Sequence, residues 1–353
     1  MPKQGPRLAG FAPLLGLLPL LGGVTTGQAA LAASGALDEA KQAGRGPESF
    51  PPADEDYFRE TDNGVELTPD EVKGRNMWLV WTGGNDRFWD LLTRNTFGAF
   101  DLLKTISSHP SLPAKRGNRW RYLGLVNEPC FEQATGPDPE RFGLWLDKRR
   151  ADCPPDPFAD AGKYPGVATG ARGRNLPVGS YYGEPTGILG LRLFPNPAFD
   201  EEAAKRWDPA RFYEDPGYYN SKNLVRPYRV GMSCGFCHVG PSPIAPPDDP
   251  ENPKWENVNS TVGAQYFWID RIFAWKGDTD PANYMYQLVH TQRPGTLDTS
   301  LVSTDYINNP RTMNAIYNLG ARLEIAKRWG QERLAGEELD NKQFNDFFDH
   351  GPL

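Results

Sequence analysis

The clearest chemical signal in the sequence is a C-x-x-C-H motif at residues 234–238. Two thiols three positions apart can add to the two vinyl groups of a haem, and the adjacent imidazole can reach its iron. The motif therefore predicts one covalently bound haem c, with Cys234 and Cys237 as the thioether sites. His238 is the predicted iron ligand.

Two other uses of a C-x-x-C pair fit the sequence less well. A redox dithiol lies between a strand and a helix of a βαβ unit, and no such alternation surrounds this motif. A zinc site needs a second pair of ligands, and neither Cys130 nor Cys153 has a partner at that spacing. The other histidines, His109, His290 and His350, stand alone. Haem attachment is thus the preferred interpretation.

The N-terminus has the pattern of a secretory signal peptide. Lys3 and Arg7 form a basic region, residues 8–24 are mostly apolar, and Ala30–Ala32 resembles a cleavage site. We therefore predict a signal peptide over residues 1–32 and a periplasmic or secreted protein that is soluble once the signal is removed. Bacterial haem c is attached after export, so this localisation agrees with the motif.

Charge and composition limit the classes of partner. Removing residues 1–32 takes away two basic residues and no acidic ones, so the net charge changes from −7 to −9. This acidic balance argues against a nucleic-acid partner. The 37 glycines and 34 prolines, without collagen periodicity, predict long irregular loops.

The two cysteines outside the motif can form a disulfide. Of the four cysteines, Cys130 and Cys153 are the two that remain when the motif is set aside. An even number of remaining cysteines in an exported protein favours a disulfide over two free thiols. Closing a loop of this length would stabilise the fold by about 3 kcal/mol.

The overall pattern predicts a mainly α fold, with a cytochrome c-like haem domain and large irregular, loop-rich extensions. Residues 33–70 contain prolines and acidic residues and are predicted to be an exposed lead-in. Residues 71–225 are predicted to form an aromatic-rich helical and loop-rich N-terminal region. Residues 226–353 are predicted to form the haem-binding region, which we expect to be incomplete.

Four helical segments are predicted within the N-terminal region, and one of them bears Phe97, Phe100, Leu102, Leu103 and Ile106. The first follows a glycine-rich turn, where Asn85 or Asp86 can act as the N-cap. Short helices are also expected at Glu140–Arg150 and Asp200–Trp207, between segments punctuated by proline and glycine.

Residues downstream of the motif could orient the iron ligand or cover the haem. The carbonyl of Pro241 or Pro243 could accept the second imidazole N–H, although an ordinary surface loop is an equal alternative. Trp268, Ile272 and Trp275 share one helical face. This face suits either a wall over the porphyrin or simple core packing.

The sixth iron position separates the possible functions. If it is open, dioxygen or peroxide can bind, which predicts an oxygenase or peroxidase. If Met285, Met313 or His290 occupies it, the protein is an electron carrier with a redox-protein partner. A third alternative is a non-catalytic fragment that carries haem only as structure.

Three segments resemble the N-terminal half of the rubber oxygenases, a secreted dihaem c-type family related to bacterial dihaem cytochrome c peroxidases. They are WLVWTGGNDRFW at residues 78–89, SCGFCHVGP at residues 233–241 and VGAQYF at residues 262–267. The resemblance implies that the haem on His238 binds dioxygen and acts on a hydrophobic substrate. A second C-x-x-C-H motif, which the family carries, is absent from this sequence.

Overall fold

The computed structural model describes residues 38–95, 100–168 and 173–261, together with residues 264, 266, 267, 271 and 272. Within them the helices are α1 Glu39–Gln42, α2 Pro69–Val80, α3 Asp86–Asn95, α4 Leu102–Thr105, α5 Arg119–Leu123, α6 Glu201–Arg206, α7 Pro209–Glu214, α8 Pro216–Tyr219 and α9 Cys234–Cys237. The strands are β1 Phe131–Glu132, β2 Lys148–Arg149, β3 Glu184–Pro185, β4 Leu191–Pro195, β5 Tyr228–Met232, β6 Gly240–Pro241 and β7 Val258–Asn259.

The prediction of a mainly α fold is wrong. Over the described residues the protein is 34% helical and 13% strand, with short helices, several small sheets and long loops. The cause is visible in the segment Glu140–Arg150, which was predicted to be helical. Phe142 and Gly143 adopt φ values of 56° and 76°, and this left-handed backbone ends a short 3-10 turn after Arg141. The chain then enters β2 instead of continuing as a helix.

Three predicted segments contain a helix, and one of these helices is α4, which covers part of the stretch from Phe97 to Ile106. α6 lies within the predicted segment Asp200–Trp207, and the Asp200 side chain accepts a hydrogen bond from the Ala203 backbone N–H. α3 begins directly after the glycine-rich turn. The longest described helix is α2, which has 12 residues and a capping box formed by Thr68 and Glu71.

A three-stranded antiparallel sheet, ordered β3, β4, β5, leads to the C-x-x-C-H motif. β4 is buried along its whole length, and its Leu191 pairs with Met232 at the end of β5. β4 belongs to the predicted N-terminal region and β5 to the predicted haem region, so one sheet spans both. The end of β5 is therefore fixed by a strand from a distant part of the chain.

The lead-in predicted to be exposed contributes to a hydrophobic core. Phe58 is 2% exposed, and its ring stacks on Phe158 with centroids 5.9 Å apart. Ala53 is also buried in this cluster. The acidic residues of the segment have partners: Glu55 accepts hydrogen bonds from Lys163 and Tyr164. Pairing of these charges allows the apolar neighbours to be buried, which corrects the expectation for residues 38–70.

The predicted disulfide between Cys130 and Cys153 is confirmed. The two Cα atoms are 5.8 Å apart, and the bond joins residues separated by 23 positions. The backbone N–H of Arg150 also donates to the carbonyl of Cys130. The disulfide therefore joins the residue before β1 to the loop that follows β2.

Three buried ion pairs connect distant segments of the described chain. Their members are Arg119 with Asp147 at 2.9 Å, Arg192 with Asp156 at 2.5 Å and Arg226 with Asp101 at 2.9 Å, and every side chain is at most 4% exposed. Such pairs add little net stability over an apolar contact, but leaving one partner buried alone is costly. They therefore fix how these segments pack together.

Glu128 makes the stability of the fold depend on pH. Burial, followed by the nearby Asp156, raises the pKa of Glu128 from 4.5 to about 7. Between these values the unfolded chain loses a proton that the folded chain keeps, so the contribution of Glu128 to stability falls as pH rises. We expect Glu128→Gln to stabilise the fold at pH 8 by roughly 2–3 kcal/mol more than at pH 4.5. Urea unfolding at both pH values measures this difference.

The matched control is Glu132→Gln, which changes an exposed carboxylate on β1. This variant is expected to keep the wild-type dependence of stability on pH. If Glu128→Gln also keeps it, Glu128 is ionised in the folded protein at neutral pH and the expectation is wrong.

Candidate haem-attachment site

The C-x-x-C-H motif forms a single helical turn directly after β5. α9 contains Cys234 and Cys237, and the backbone N–H of His238 donates to the carbonyls of Cys234 and Gly235, both at 3.2 Å. The backbone N–H of Ser233 donates to the carbonyl of Gly190 at 2.8 Å. The turn places both thiols and the imidazole within five residues of one hydrogen-bonded segment.

Ser233 also connects the motif to the end of α2. Its hydroxyl donates to the carbonyl of Leu79 at 2.8 Å, and both residues are buried. Leu79 lies in the last turn of α2 and so has a backbone carbonyl with no helical partner of its own. The contact thus satisfies a helix end while it fixes the start of α9.

Asn85 fixes the end of β5 by pairing with its backbone. The Asn85 amide donates to the carbonyl of Met232 at 2.7 Å, and its oxygen accepts the Met232 N–H at 2.9 Å. The preceding Gly83 and Gly84 have φ values of 59° and 73°, which turn the chain from α2 into α3. Asn85 lies directly before α3, as the sequence predicts, but its side chain binds a strand 147 residues away.

Two glycines, one in the loop before β4 and one in α9 itself, allow close packing around α9. A Cβ atom on Gly190 would lie 2.5 Å from the Cα of Phe236, and closer still to the Phe236 nitrogen. A Cβ atom on Gly235 would lie 2.9 Å from Leu79 Cδ2 and 3.2 Å from the carbonyl oxygen of Trp78. α9 is therefore held between the loop before β4 and the end of α2, with no room for a side chain on either glycine.

The two thiols and the imidazole of the motif differ in their exposure to solvent. Cys234 is exposed, Cys237 is half-buried and His238 is 6% exposed. The ring of Trp78 lies beside the imidazole, with centroids 5.5 Å apart. Both cysteines are free thiols, because the other two cysteines form the disulfide.

The thiols are poorly suited to redox exchange. Burial raises the pKa of Cys234, and burial with the neighbouring Cys234 raises the pKa of Cys237 to about 12. A redox dithiol needs a thiolate, which a lowered pKa supplies. In the part of the chain that the structure describes, no three His, Cys, Asp or Glu side chains are grouped to hold a metal ion.

The residues present fit haem c. Two free thiols three positions apart supply the two thioether bonds, and a single imidazole supplies the iron ligand. Hydrogen bonds of Ser233 and His238 also hold the backbone at the two ends of the motif. The spacing between the thiols is therefore set before a ligand binds.

Several predicted neighbours of the haem lie in different surroundings or outside the described residues. Pro241 pairs with Val258 in the β6–β7 sheet, whereas Pro243 lies on an exposed loop. Ile272 is 1% exposed in the main hydrophobic cluster. Outside the described residues lie the predicted signal peptide and Trp268, Trp275, Met285, His290 and Met313.

Sequence reasoning missed the residues that position the motif. The paired hydrogen bonds of Asn85, the hydroxyl contact of Ser233 and the close approach of Gly190 all join segments that are distant in sequence. The one local signal was the glycine pair before Asn85, which indicates a turn but not its partner.

Comparisons with known proteins give no relative for this chain. No family model matches it, and no curated protein or solved structure is significantly similar to it. Among the described residues, none of the helices has the length and apolar character needed to span a membrane.

Removing the Asn85 side chain should loosen the motif. We expect Asn85→Ala to lower the free energy of unfolding by about 2 kcal/mol, because it leaves the buried N–H and carbonyl of Met232 without these partners. Haem attachment should fall in parallel, since the end of β5 is no longer fixed. Denaturant unfolding and the fraction of protein carrying covalent haem measure the two effects.

Asn252→Ala is the control, because the Asn252 amide binds Asp249 at an exposed site. It should change stability by less than about 0.5 kcal/mol. Equal losses in the two variants would show that the contact with Met232 has no special role.

Proposed function

We propose that this protein is an exported haem c oxidoreductase in which haem is bound through Cys234 and Cys237 and its iron through His238. The observation that carries the proposal is the arrangement of two free thiols and one imidazole on a single fixed helical turn. The redox-dithiol alternative is disfavoured, since burial raises the pKa of both thiols.

The two cysteines and the histidine would each hold a different part of the haem. Cys234 is exposed and accessible to a maturation enzyme, while Cys237 is deeper in the fold. His238 is almost excluded from water, and the Trp78 ring beside it restricts the orientations of the imidazole. A bound haem supplies one-electron chemistry and, where one iron position is open, a place for dioxygen or peroxide.

The proposed reaction class is oxygenase or peroxidase chemistry on a hydrophobic substrate. It rests on the resemblance of residues 78–89 and 233–241 to the oxygen-binding half of the rubber oxygenases. In the structure these two segments are in contact, because the Ser233 hydroxyl binds the Leu79 carbonyl and the Trp78 ring lies beside the His238 ring. A periplasmic or secreted location is part of the proposal, and it is supported by the Cys130–Cys153 disulfide, a bond typical of oxidising compartments.

Covalent attachment is tested by producing the full chain in a bacterial host that exports it and attaches c-type haem. The intact mass should increase by one haem, and the haem should stay with the denatured protein. Cys234→Ser and Cys237→Ser should each remove one thioether bond, and the double variant should carry no covalent haem. The Cys130→Ser/Cys153→Ser double variant is the matched control, because it also removes two cysteines, leaves no free thiol from the disulfide and should retain haem. A wild-type protein without haem would refute the proposal.

The open iron position is tested separately by visible spectroscopy. The dithionite-reduced protein is expected to show a shifted Soret band when carbon monoxide is added, because the gas can bind only at an open position. An unchanged spectrum would show that a second protein ligand occupies the iron, and would replace the oxygenase proposal with electron transfer.

A further inference from the structure

The indole N–H of Trp78 is a buried hydrogen-bond donor beside the predicted iron ligand. Trp78 lies in the last turn of α2, and the centroid of its ring is 5.5 Å from that of the His238 ring. The Nε1 atom is buried, and within the ranges that the structure describes it has no hydrogen-bond partner. Burying a donor without an acceptor is costly, so this atom needs an explanation.

Packing alone does not account for this N–H. Trp78 packs against an apolar cluster that includes Leu79 and Val239, where a phenylalanine ring would bury apolar surface without a polar atom. A buried tryptophan usually finds a partner for its N–H, as Trp207 does by donating to the carbonyl of Phe142 at 2.9 Å. An unpaired donor beside a ligand-binding histidine is explained if the ligand itself brings the acceptor.

The backbone next to Trp78 fixes its position relative to the motif. The Leu79 carbonyl accepts the Ser233 hydroxyl at 2.8 Å, directly before α9. A Cβ atom on Gly235 would lie 3.2 Å from the carbonyl oxygen of Trp78, so the end of α2 and the motif are closely packed. A group held by the motif is therefore adjacent to the Trp78 ring.

The acceptors that haem offers are its two carboxylates, since the rest of its periphery is apolar. A hydrogen bond from an N–H to an ionised carboxylate is stronger than one between neutral groups. We propose that the Trp78 indole N–H donates a hydrogen bond to a carboxylate of the bound haem. The inference rests on the proposed haem binding at Cys234, Cys237 and His238, and it adds Trp78 to the residues that hold the group.

The first test is a cycle of haem affinities in the full chain carrying Cys234→Ser and Cys237→Ser, to which haem binds without thioether bonds. Haem and haem dimethyl ester, whose carboxylates are uncharged, are each titrated into this chain with and without Trp78→Phe. Trp78→Phe should weaken haem binding about tenfold, as expected for the loss of one hydrogen bond to a charged group. Binding of the ester should weaken much less. Equal losses for haem and ester would overturn the proposal, because the indole would then act by packing alone.

A second measurement uses the matured protein with covalent haem and so does not depend on affinity. Covalent haem content is determined first, and a wild-type chain without haem refutes the proposed function itself. Infrared difference spectra of protein with isotope-labelled haem carboxylates then compare the wild type with Trp78→Phe. The carboxylate band should shift in the variant, because the donor polarises the group that it binds. An unchanged band in a variant with normal haem content contradicts this inference alone.

Trp207→Phe is the matched control, because Trp207 is also half-buried and also loses one indole N–H. That N–H already has a partner in the carbonyl of Phe142. This variant should bind haem and its ester like the parent chain, but it should unfold at a lower urea concentration. Without haem, Trp78→Phe should lose less resistance to urea than Trp207→Phe, because the donor that it removes has no partner. A loss of haem affinity in Trp207→Phe equal to that in Trp78→Phe would contradict the role given to Trp78.

Discussion

Gly190→Ala is expected to lower the free energy of unfolding by about 3–5 kcal/mol and to abolish most haem attachment. Gly190 has a φ of 81°, a left-handed conformation that costs an alanine about 1–2 kcal/mol. The new Cβ would also collide with the backbone of Phe236 in α9. Backbone atoms cannot rotate away as a side chain does, so the loop and α9 must separate. Urea unfolding and the covalent haem content measure the two effects.

Gly44→Ala separates the two contributions. Gly44 has a similar φ of 68°, but a Cβ atom there would meet nothing within 4 Å. This variant should lose only about 1 kcal/mol from backbone strain and should attach haem normally. If the two variants are equally destabilised, the contact between Gly190 and α9 is looser than the structure shows.

Asp147→Ala is the second change with a large expected effect, a loss of about 3–5 kcal/mol of folding free energy. Asp147 is fully buried and binds the fully buried Arg119 at 2.9 Å. Its other oxygen accepts a hydrogen bond from the Ser108 hydroxyl at 2.7 Å. Removing the carboxylate leaves a guanidinium charge in the core with only neutral partners such as Asn127. Chemical denaturation measures the loss.

The control for Asp147→Ala is Asp70→Ala, which also removes one carboxylate from an ion pair. Asp70 is 92% exposed and pairs with Lys73 at 3.0 Å. Because water solvates both of these groups, the change should be below about 1 kcal/mol. Where Asp147→Ala fails to fold, Asp147→Asn retains the shape and should still be less stable than Asp70→Ala. Equal stabilities would contradict the role given to the buried pair.

Local signals predicted the parts of the fold that depend on neighbouring residues. The aspartate before α6 and the glycine-rich turn before α3 were recognised because caps and turns are encoded within a few positions. The segment Glu140–Arg150 was wrongly predicted as helical, since the non-glycine Phe142 takes a left-handed conformation. That conformation is set by tertiary packing, including the contact of Gly143 with Pro209, and leaves little trace in sequence.

In the candidate site, too, some features could be predicted from neighbouring residues, whereas others depend on distant contacts. Cys234, Cys237 and His238 are identifiable from spacing alone, because the chemistry requires all three within five residues. Their positioning depends on Asn85 and Gly190, and nothing near these residues in the sequence indicates the contacts with Met232 and Phe236.

The separation of the four cysteines also has a consequence for the order of events in maturation. Cys130 and Cys153 are 23 positions apart, and both precede Cys234 and Cys237 in the chain. In a chain that emerges from its N-terminus, this pair meets oxidant first, and its loop is also cheaper in entropy than a loop from Cys130 or Cys153 to Cys234. Early oxidation of this pair leaves no partner thiol for scrambling when the later pair appears. Pairing of Cys130 with Cys153 thus keeps both of them from forming mixed disulfides with Cys234 or Cys237.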